Sequence, residues 1–234
     1  MRHARSILRQ LEHVRDDFGS LSGDDVGHFR IFANTTPITE SLPGVLAKFL
    51  QDRPSVTVDI QERNTSEVIK SVVESIADIG VLSVPKPFNP GYLQNRCYDS
   101  DRLVLVVPTN HAMGSRRTAE FEETLNLPHV GFRNSTLQEY IVSQAATLNH
   151  RLTMRVLMNS YETMCGMIES GIGVGVLPES CAKRYIKSGM QLKTVVLADP
   201  WTLRERHIIY RDVDALPACA RAFVEALASS KRSG

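Results

Sequence analysis

A β-α-β-α-β order followed by a lone strand occurs twice along this chain, and that repetition restricts the fold more than any other feature. In the first half Phe29-Arg30-Ile31-Phe32 precedes a helix rising after Asn34-Thr35-Thr36-Pro37. Val56-Thr57-Val58-Asp59-Ile60 then precedes a helix opened by Asn64-Thr65-Ser66-Glu67, and Ile79-Gly80-Val81-Leu82 follows. In the second half His129-Val130-Gly131-Phe132 leads into Arg133-Asn134-Ser135-Thr136, residues 152–158 lead into Asn159-Ser160-Tyr161-Glu162, and residues 172–177 follow. Strands alternating with helices imply parallel sheets, whose ligands sit beyond the carboxyl ends of the strands, where helix N-termini also point. The expected fold class is α/β, with two Rossmann-like lobes and a cleft between them.

The first lobe is expected over residues 28–107, ending in the apolar strand Arg102-Leu103-Val104-Leu105-Val106-Val107, and the second over 108–205. The second lobe carries a helix near Phe121-Glu122-Glu123-Thr124-Leu125, a long helix over 135–148, another over 161–170 and one after Pro178-Glu179. A strand at Arg206-His207-Ile208-Ile209-Tyr210 and a helix over 217–228, with Ala220, Phe223, Val224 and Leu227 at helical spacing, are expected to return to the first lobe, so that 206–229 completes it. Crossings at 107–109 and 197–206 then form a two-stranded hinge. Gly171-Ile172-Gly173-Val174-Gly175 follows a helix instead of opening one, the wrong order for a dinucleotide loop. Gly171 reads as a helix C-cap, with Gly173 and Gly175 permitting close packing of a strand.

Four turns carry hydroxyls and amides at helix starts, where unpaired N–H groups and a partial positive charge suit a carboxylate. The alternative is that these side chains serve only their own helices, since Asn64-x-x-Glu67, Ser135-x-x-Gln138 and Asn159-x-x-Glu162 all fit a capping box. The first turn has more polar groups than one cap uses; Thr36-Pro37 sets proline at the first helical position and leaves Thr35 facing outward. Arg133, directly after a strand, reads as the only cation among these four turns, either a bidentate clamp for a carboxylate or an ordinary surface ion-pair member. No carboxylate pair, activated nucleophile or candidate base accompanies it, so binding is favoured over catalysis.

A formal net charge of +1 gives the body of the chain no excess of Lys and Arg with which to hold a phosphate backbone. The apolar runs are too short to span a bilayer, and the start has no apolar stretch after its charges, so a cytoplasmic location is expected. Cys97, Cys165, Cys181 and Cys219 lie far apart and the seven histidines are scattered. They read as reduced packing residues, and neither metal nor cofactor is expected. At the N-terminus Ala4, Ile7, Leu11, Val14 and Phe18 are spaced three, four, three, four, which is a heptad seam for a second copy or an amphipathic face folded back on its own lobe.

At this level of detail the sequence resembles the LysR-type transcriptional regulators, specifically their effector-binding domain. The resemblance rests on Ser41-Leu42-Pro43-Gly44-Val45-Leu46-Ala47-Lys48-Phe49 with Pro54-x-Val56, and on Ala77-Asp78-Ile79-Gly80-Val81. It continues through Leu103-Val104-Leu105-Val106-Val107-Pro108 with His111, Asn159-Ser160-Tyr161-Glu162-Thr163, and the run from Glu169-Ser170-Gly171 to Leu177-Pro178-Glu179. It implies a type 2 periplasmic-binding-protein fold with a small effector held between two lobes, the effector shifting how a homo-oligomer sits on promoter DNA. Residues 1–18 then resemble the end of the linker helix, with DNA contact made by a helix-turn-helix of the parent protein that is absent from these residues. By similarity Thr35, Thr36 and Thr65 contact the effector from one lobe and Arg133, Asn134 and Ser135 from the other. With the remaining turn positions, the candidate ligand contacts are Asn34, Thr35, Thr36, Thr65, Ser83, Arg133, Asn134, Ser135, Thr136, Asn159 and Ser160. Two rival readings remain: an exported solute-binding protein of the same fold, and an enzyme on the same scaffold.

Overall fold

A computed structural model describes residues 27–133 and 135–230. It divides into two compact units, one of the residues up to Asp99 and from Glu205 onwards, the other Ser100–Arg204. The chain passes from one unit to the other inside a single strand. That strand, Gln94–Pro108, runs unbroken for 15 residues, so the first boundary lies ahead of the expected residue 107.

The first unit is built from β1 (Gly27–Ala33), α1 (Thr35–Glu40), α2 (Leu42–Gln51), β2 (Val56–Glu62), α3 (Thr65–Val73) and β3 (Ile79–Pro85). To these are added the first part of β4 (Gln94–Pro108), most of β10 (Leu203–Tyr210) and α7 (Ala218–Ser229). Its strand order is β2-β1-β3-β10-β4, with β1 parallel to both β2 and β3. Alternation along the strands sorts side chains to two faces. Phe29, Ile31, Ile79, Val81, Ile208 and Tyr210 face a layer containing Leu42, Leu46, Phe49, Phe223 and Leu227, contributed by α2 and α7. Phe32, Leu82 and Ile209 face the opposite way, onto Val68 and Val72 of α3. The α7 helix thus packs on the first unit through Ala220, Phe223, Val224 and Leu227. Phe29, Phe49 and Phe223 meet with ring centroids 5.3–6.2 Å apart, close enough to interlock one strand and two helices.

The second unit contains the rest of β4, β5 (Thr118–Ala119), β6 (Pro128–Phe132), α4 (Thr136–Thr147), β7 (Thr153–Met158), α5 (Tyr161–Glu169), β8 (Gly175–Pro178), α6 (Glu179–Lys187) and β9 (Leu192–Leu197). β4 pairs antiparallel with β8 and β9, β9 runs parallel to β5, and β6 runs parallel to β7. The expected helix near Phe121 is only a 3-10 turn, Phe121–Thr124. The glycine strand is shorter than the expected 172–177, because Gly171 and Ile172 belong to the end of α5. Gly171 adopts φ +73°, its N–H bonds to the carbonyl of Ile168, and the N–H of Ile172 bonds to that of Met167. This paired closure is a Schellman motif, and it demands a residue that tolerates positive φ. A Cβ on Gly175 would lie 2.7 Å from Ile168 Cδ1 and Met164 Cε, which explains glycine where β8 crosses α5.

Candidate functional site

In the first unit, β1 ends and α1 begins at Asn34, whose side chain is nearly buried. It does not cap its own helix. Its Nδ2 donates to Ser83 O at 3.0 Å and to Thr65 Oγ1 at 3.2 Å, and its Oδ1 accepts from Ser83 N at 3.0 Å. The first turn, the start of α3 and the end of β3 are therefore joined through one amide, bringing Asn34, Thr65 and Ser83 together. α1 starts at Thr35, so Pro37 is its third residue instead of the first; its missing N–H still costs nothing in a first turn. Thr35 is half-buried, and its hydroxyl is not left free, since it donates to Glu62 Oε1 at 2.6 Å in an exposed contact. Thr36 is buried.

The second turn closes its capping box as expected: Asn64 Oδ1 accepts from Glu67 N at 2.9 Å, and Asn64 N donates to Glu67 Oε2 at 3.1 Å. Just before it lies Arg63, so Arg133 is not the only cation beside these turns. The Arg63 guanidinium lies 5.5 Å from the Phe32 ring centroid and donates to Glu62 O at 2.7 Å and Gln61 Oε1 at 2.8 Å. Position supplied the signal: it follows β2 directly, as Arg133 follows β6.

In the second unit, the backbone N–H of Arg133 donates to Met158 O at 2.7 Å, tying the end of β6 to the end of β7. The Arg133 side chain is exposed, and its guanidinium has no partner among the described residues. Asn134 lies outside the described residues. Ser135 is buried and caps α4, its Oγ accepting from Gln138 N at 3.0 Å. The box expected with Gln138 is not formed. The Gln138 side chain instead accepts from Phe132 N at 3.0 Å, because Gly131 offers no Cβ to stand in its way. Thr136 is the first residue of α4 and half-buried.

The fourth turn also departs from expectation. α5 is capped by Ser160, whose Oγ accepts from Thr163 N at 3.2 Å and pairs with Thr163 Oγ1 at 2.8 Å, so Ser160 and Thr163 replace the anticipated Asn159 and Glu162. Asn159 and Ser160 are both exposed. A further missed cation is Arg204, which burial pushes down to about 10, with Tyr140 and Tyr161 opposing the shift. Its guanidinium stands 5.3 Å from the Tyr140 ring centroid. Arg204 belongs to no motif, and only the folding of β10 brings it near α4.

Strand ends furnished with amide, hydroxyl and guanidinium groups, on two α/β units, define a small-ligand-binding domain. The LysR substrate binding domain model matches residues 22–232, and the chain belongs to this family. An uncharacterized HTH-type transcriptional regulator of Methanocaldococcus jannaschii is 25% identical, the alignment covering 95% of this chain and 75% of that protein. A probable RuBisCO transcriptional regulator of Trieres chinensis is 23% identical over 95% of this chain and 72% of its own length. Among solved structures, the Synechocystis CcmR regulatory domain in complex with 2-PG superposes with a TM-score of 0.73 at 15% identity, covering 88% of this chain and 98% of that one. The effector binding domain of QuiR in complex with shikimate gives 0.67 at 17% identity, with 86% and 95% covered. That of BenM with its effector benzoate gives 0.67 at 15%, with 86% and 90% covered. The fold is the type 2 periplasmic-binding-like α/β fold of LysR effector-binding domains, and the family match displaces the reading as an exported solute-binding protein.

Proposed function

We propose that this chain is the sensing domain of a LysR-type regulator whose effector is a small organic anion, most simply a carboxylate. The observation that carries the anionic reading is Arg133. An exposed guanidinium with no partner among the described residues follows β6, beside a helix start capped by Ser135. Such a group is suited to a bidentate, charge-assisted contact. Two of the similar solved domains carry shikimate and benzoate, both carboxylates. The residues proposed to contact the effector are Thr35, Thr36 and Thr65 in the first unit and Arg133, Asn134, Ser135, Thr136, Asn159 and Ser160 in the second. Asn34 and Ser83 hold the first of these sets in place.

The proposed role is binding without chemistry, because the turns offer donors but no paired carboxylates or activated nucleophile. Effector occupancy is proposed to alter how the parent protein, acting as a cytoplasmic homodimer or tetramer, sits on promoter DNA through its helix-turn-helix. The heptad seam at Ala4, Ile7, Leu11, Val14 and Phe18, proposed as part of the dimerising helix, lies outside the described residues. No helix among the described residues is long and apolar enough to cross a membrane. A thermal-shift panel of small carboxylates, followed by calorimetric titration, tests the sensing role. A ligand selective for the folded state raises the melting temperature in proportion to the logarithm of its concentration. A panel of aliphatic, aromatic and phosphorylated acids that leaves the melting temperature unmoved at millimolar concentration overturns the anionic reading.

A further inference from the structure

β4 and β10 are neighbours in the sheet of the first unit. Residues two apart on a strand share a face, so Asn95 and Cys97 of β4 stand together, as do Glu205 and His207 of β10. Sγ of Cys97, a carboxylate oxygen of Glu205 and a ring nitrogen of His207 all lie within 4.8 Å of one another. We propose that Cys97, Glu205 and His207 form a binding site for a divalent transition-metal ion of the zinc class, separate from the effector turns.

The donor set selects the class of ion. A thiolate, an imidazole and a carboxylate are the ligands zinc takes, whereas magnesium and calcium call for oxygen alone. At zinc's usual bond lengths, tetrahedral donors stand about 3.3–3.8 Å apart, so small side-chain rotations close the observed spread. The surroundings already orient the histidine. Nδ1 of His207 lies 3.1 Å from Asn95 Oδ1; in the tautomer that donates from Nδ1, this is the outer-shell hydrogen bond that orients a ligating imidazole with its lone pair on Nε2. Nε2 lies 3.1 Å from Glu205 Oε2, a contact that Nε2–H makes as a donor and that, in the Nδ1–H tautomer, a metal ion between the two acceptors would bridge. The Phe88 ring, 4.9 Å from the imidazole, limits its swing.

Glu205 divides its two oxygens. Lys86 Nζ holds Oε1 at 3.0 Å from a side chain that is 66% exposed, leaving Oε2 toward His207. Around Cys97, partial desolvation and then the Glu205 carboxylate push the thiol above its ordinary range, a bias that a bound dication would reverse. Three protein donors leave one tetrahedral position for water or a small ligand. Spacing along the chain conceals the set, because Cys97 and Glu205 come from distant segments joined only by sheet pairing.

Cobalt(II) is the probe, added to chelator-treated, tag-free full chain. One equivalent should give the visible bands of tetrahedral cobalt with a thiolate-to-cobalt charge-transfer band, both erased by zinc. Cys97→Ser should abolish the charge-transfer band, while Cys219→Ser leaves it intact. Asn95→Ala should weaken cobalt binding roughly 10- to 100-fold through the lost orientation of His207. Because Cys97 is exposed, its variant should fold as wild type does and thus keeps the test decisive even if His207→Gln unfolds the buried position. A wild-type chain without a thiolate band at saturating cobalt, or a band that survives Cys97→Ser, overturns the proposal.

Discussion

Asn34 and Ser83 are joined twice, Asn34 Nδ2 donating to the Ser83 carbonyl and Asn34 Oδ1 accepting from the Ser83 N–H, each at 3.0 Å. The side chain thereby extends the pairing between β1 and β3 past the last backbone bond of β1, in a place where both partners are buried. Asn34→Ala removes both bonds at once, together with the one to Thr65 Oγ1, each contributing about 0.5–1.5 kcal/mol net. The expected loss is about 2–4 kcal/mol, read as a lower urea midpoint with unchanged slope. A midpoint within experimental error of wild type would mean that water replaces the amide and that the clamp is not structural.

The strands and long helices were legible because their signals are local. The partial alternation in β1, the short apolar run of β3, helical spacing in α7 and the Asn64-x-x-Glu67 box each concern residues that lie close in sequence. The site was legible only in part. Asn34, Thr65 and Ser83 were named as candidates, but their mutual hydrogen bonds join segments 31 and 49 residues apart, which no local pattern encodes. The boxes at Ser135 and Asn159 misled for a related reason. A Gln or Glu three residues after a polar residue supplies a partner without fixing where its side chain turns, and at Gln138 the absent Cβ of Gly131 decided that.

Gly80 is a second place where distant residues set a requirement. It lies on β3 beneath α3, and a Cβ there would come 2.5 Å from Ile209 Cγ1 and 2.8 Å from Val68 Cγ1. Both neighbours are fully buried branched side chains with little freedom to move. Gly80→Ala is expected to destabilise the first unit by about 1–3 kcal/mol through overpacking. Chemical denaturation measures this, and the companion Gly44→Ala, at a glycine with open space around its Cβ position, should be nearly silent or stabilising. Equal effects at the two positions would defeat the packing argument.

His129 makes stability depend on pH. Burial pushes its imidazole below the ordinary 6.5, with the hydrogen bond to the Thr124 carbonyl only partly opposing the shift. At and just below about pH 6.5 the unfolded chain therefore binds more protons at this position than the native chain does. Stability contributed by neutral His129 is fully present above that value and is lost as the pH falls toward the depressed native value. Urea midpoints measured from about pH 7.5 down to about pH 5 should drop, and the drop should be shallower in His129→Gln. Parallel curves for the two proteins would assign the acid sensitivity to other groups.

Arg133 separates binding from stability. Its guanidinium is exposed and has no partner among the described residues, so Arg133→Ala should change unfolding free energy by no more than about 0.5 kcal/mol. Toward a carboxylate effector the same change should cost about 1.5–3 kcal/mol, the range of a charge-assisted hydrogen bond, which is about 10- to 150-fold in Kd. Arg133→Lys keeps the charge but not the planar fork, and should recover only part of that loss if the contact is bidentate. Calorimetric titration of the three proteins with whichever acid raises the melting temperature gives the comparison. Full recovery by Lys would leave a point-charge contact; an affinity unchanged in Arg133→Ala would remove Arg133 from the site and move the anion contact to another group, with Arg63, already following β2 as Arg133 follows β6, the first to substitute.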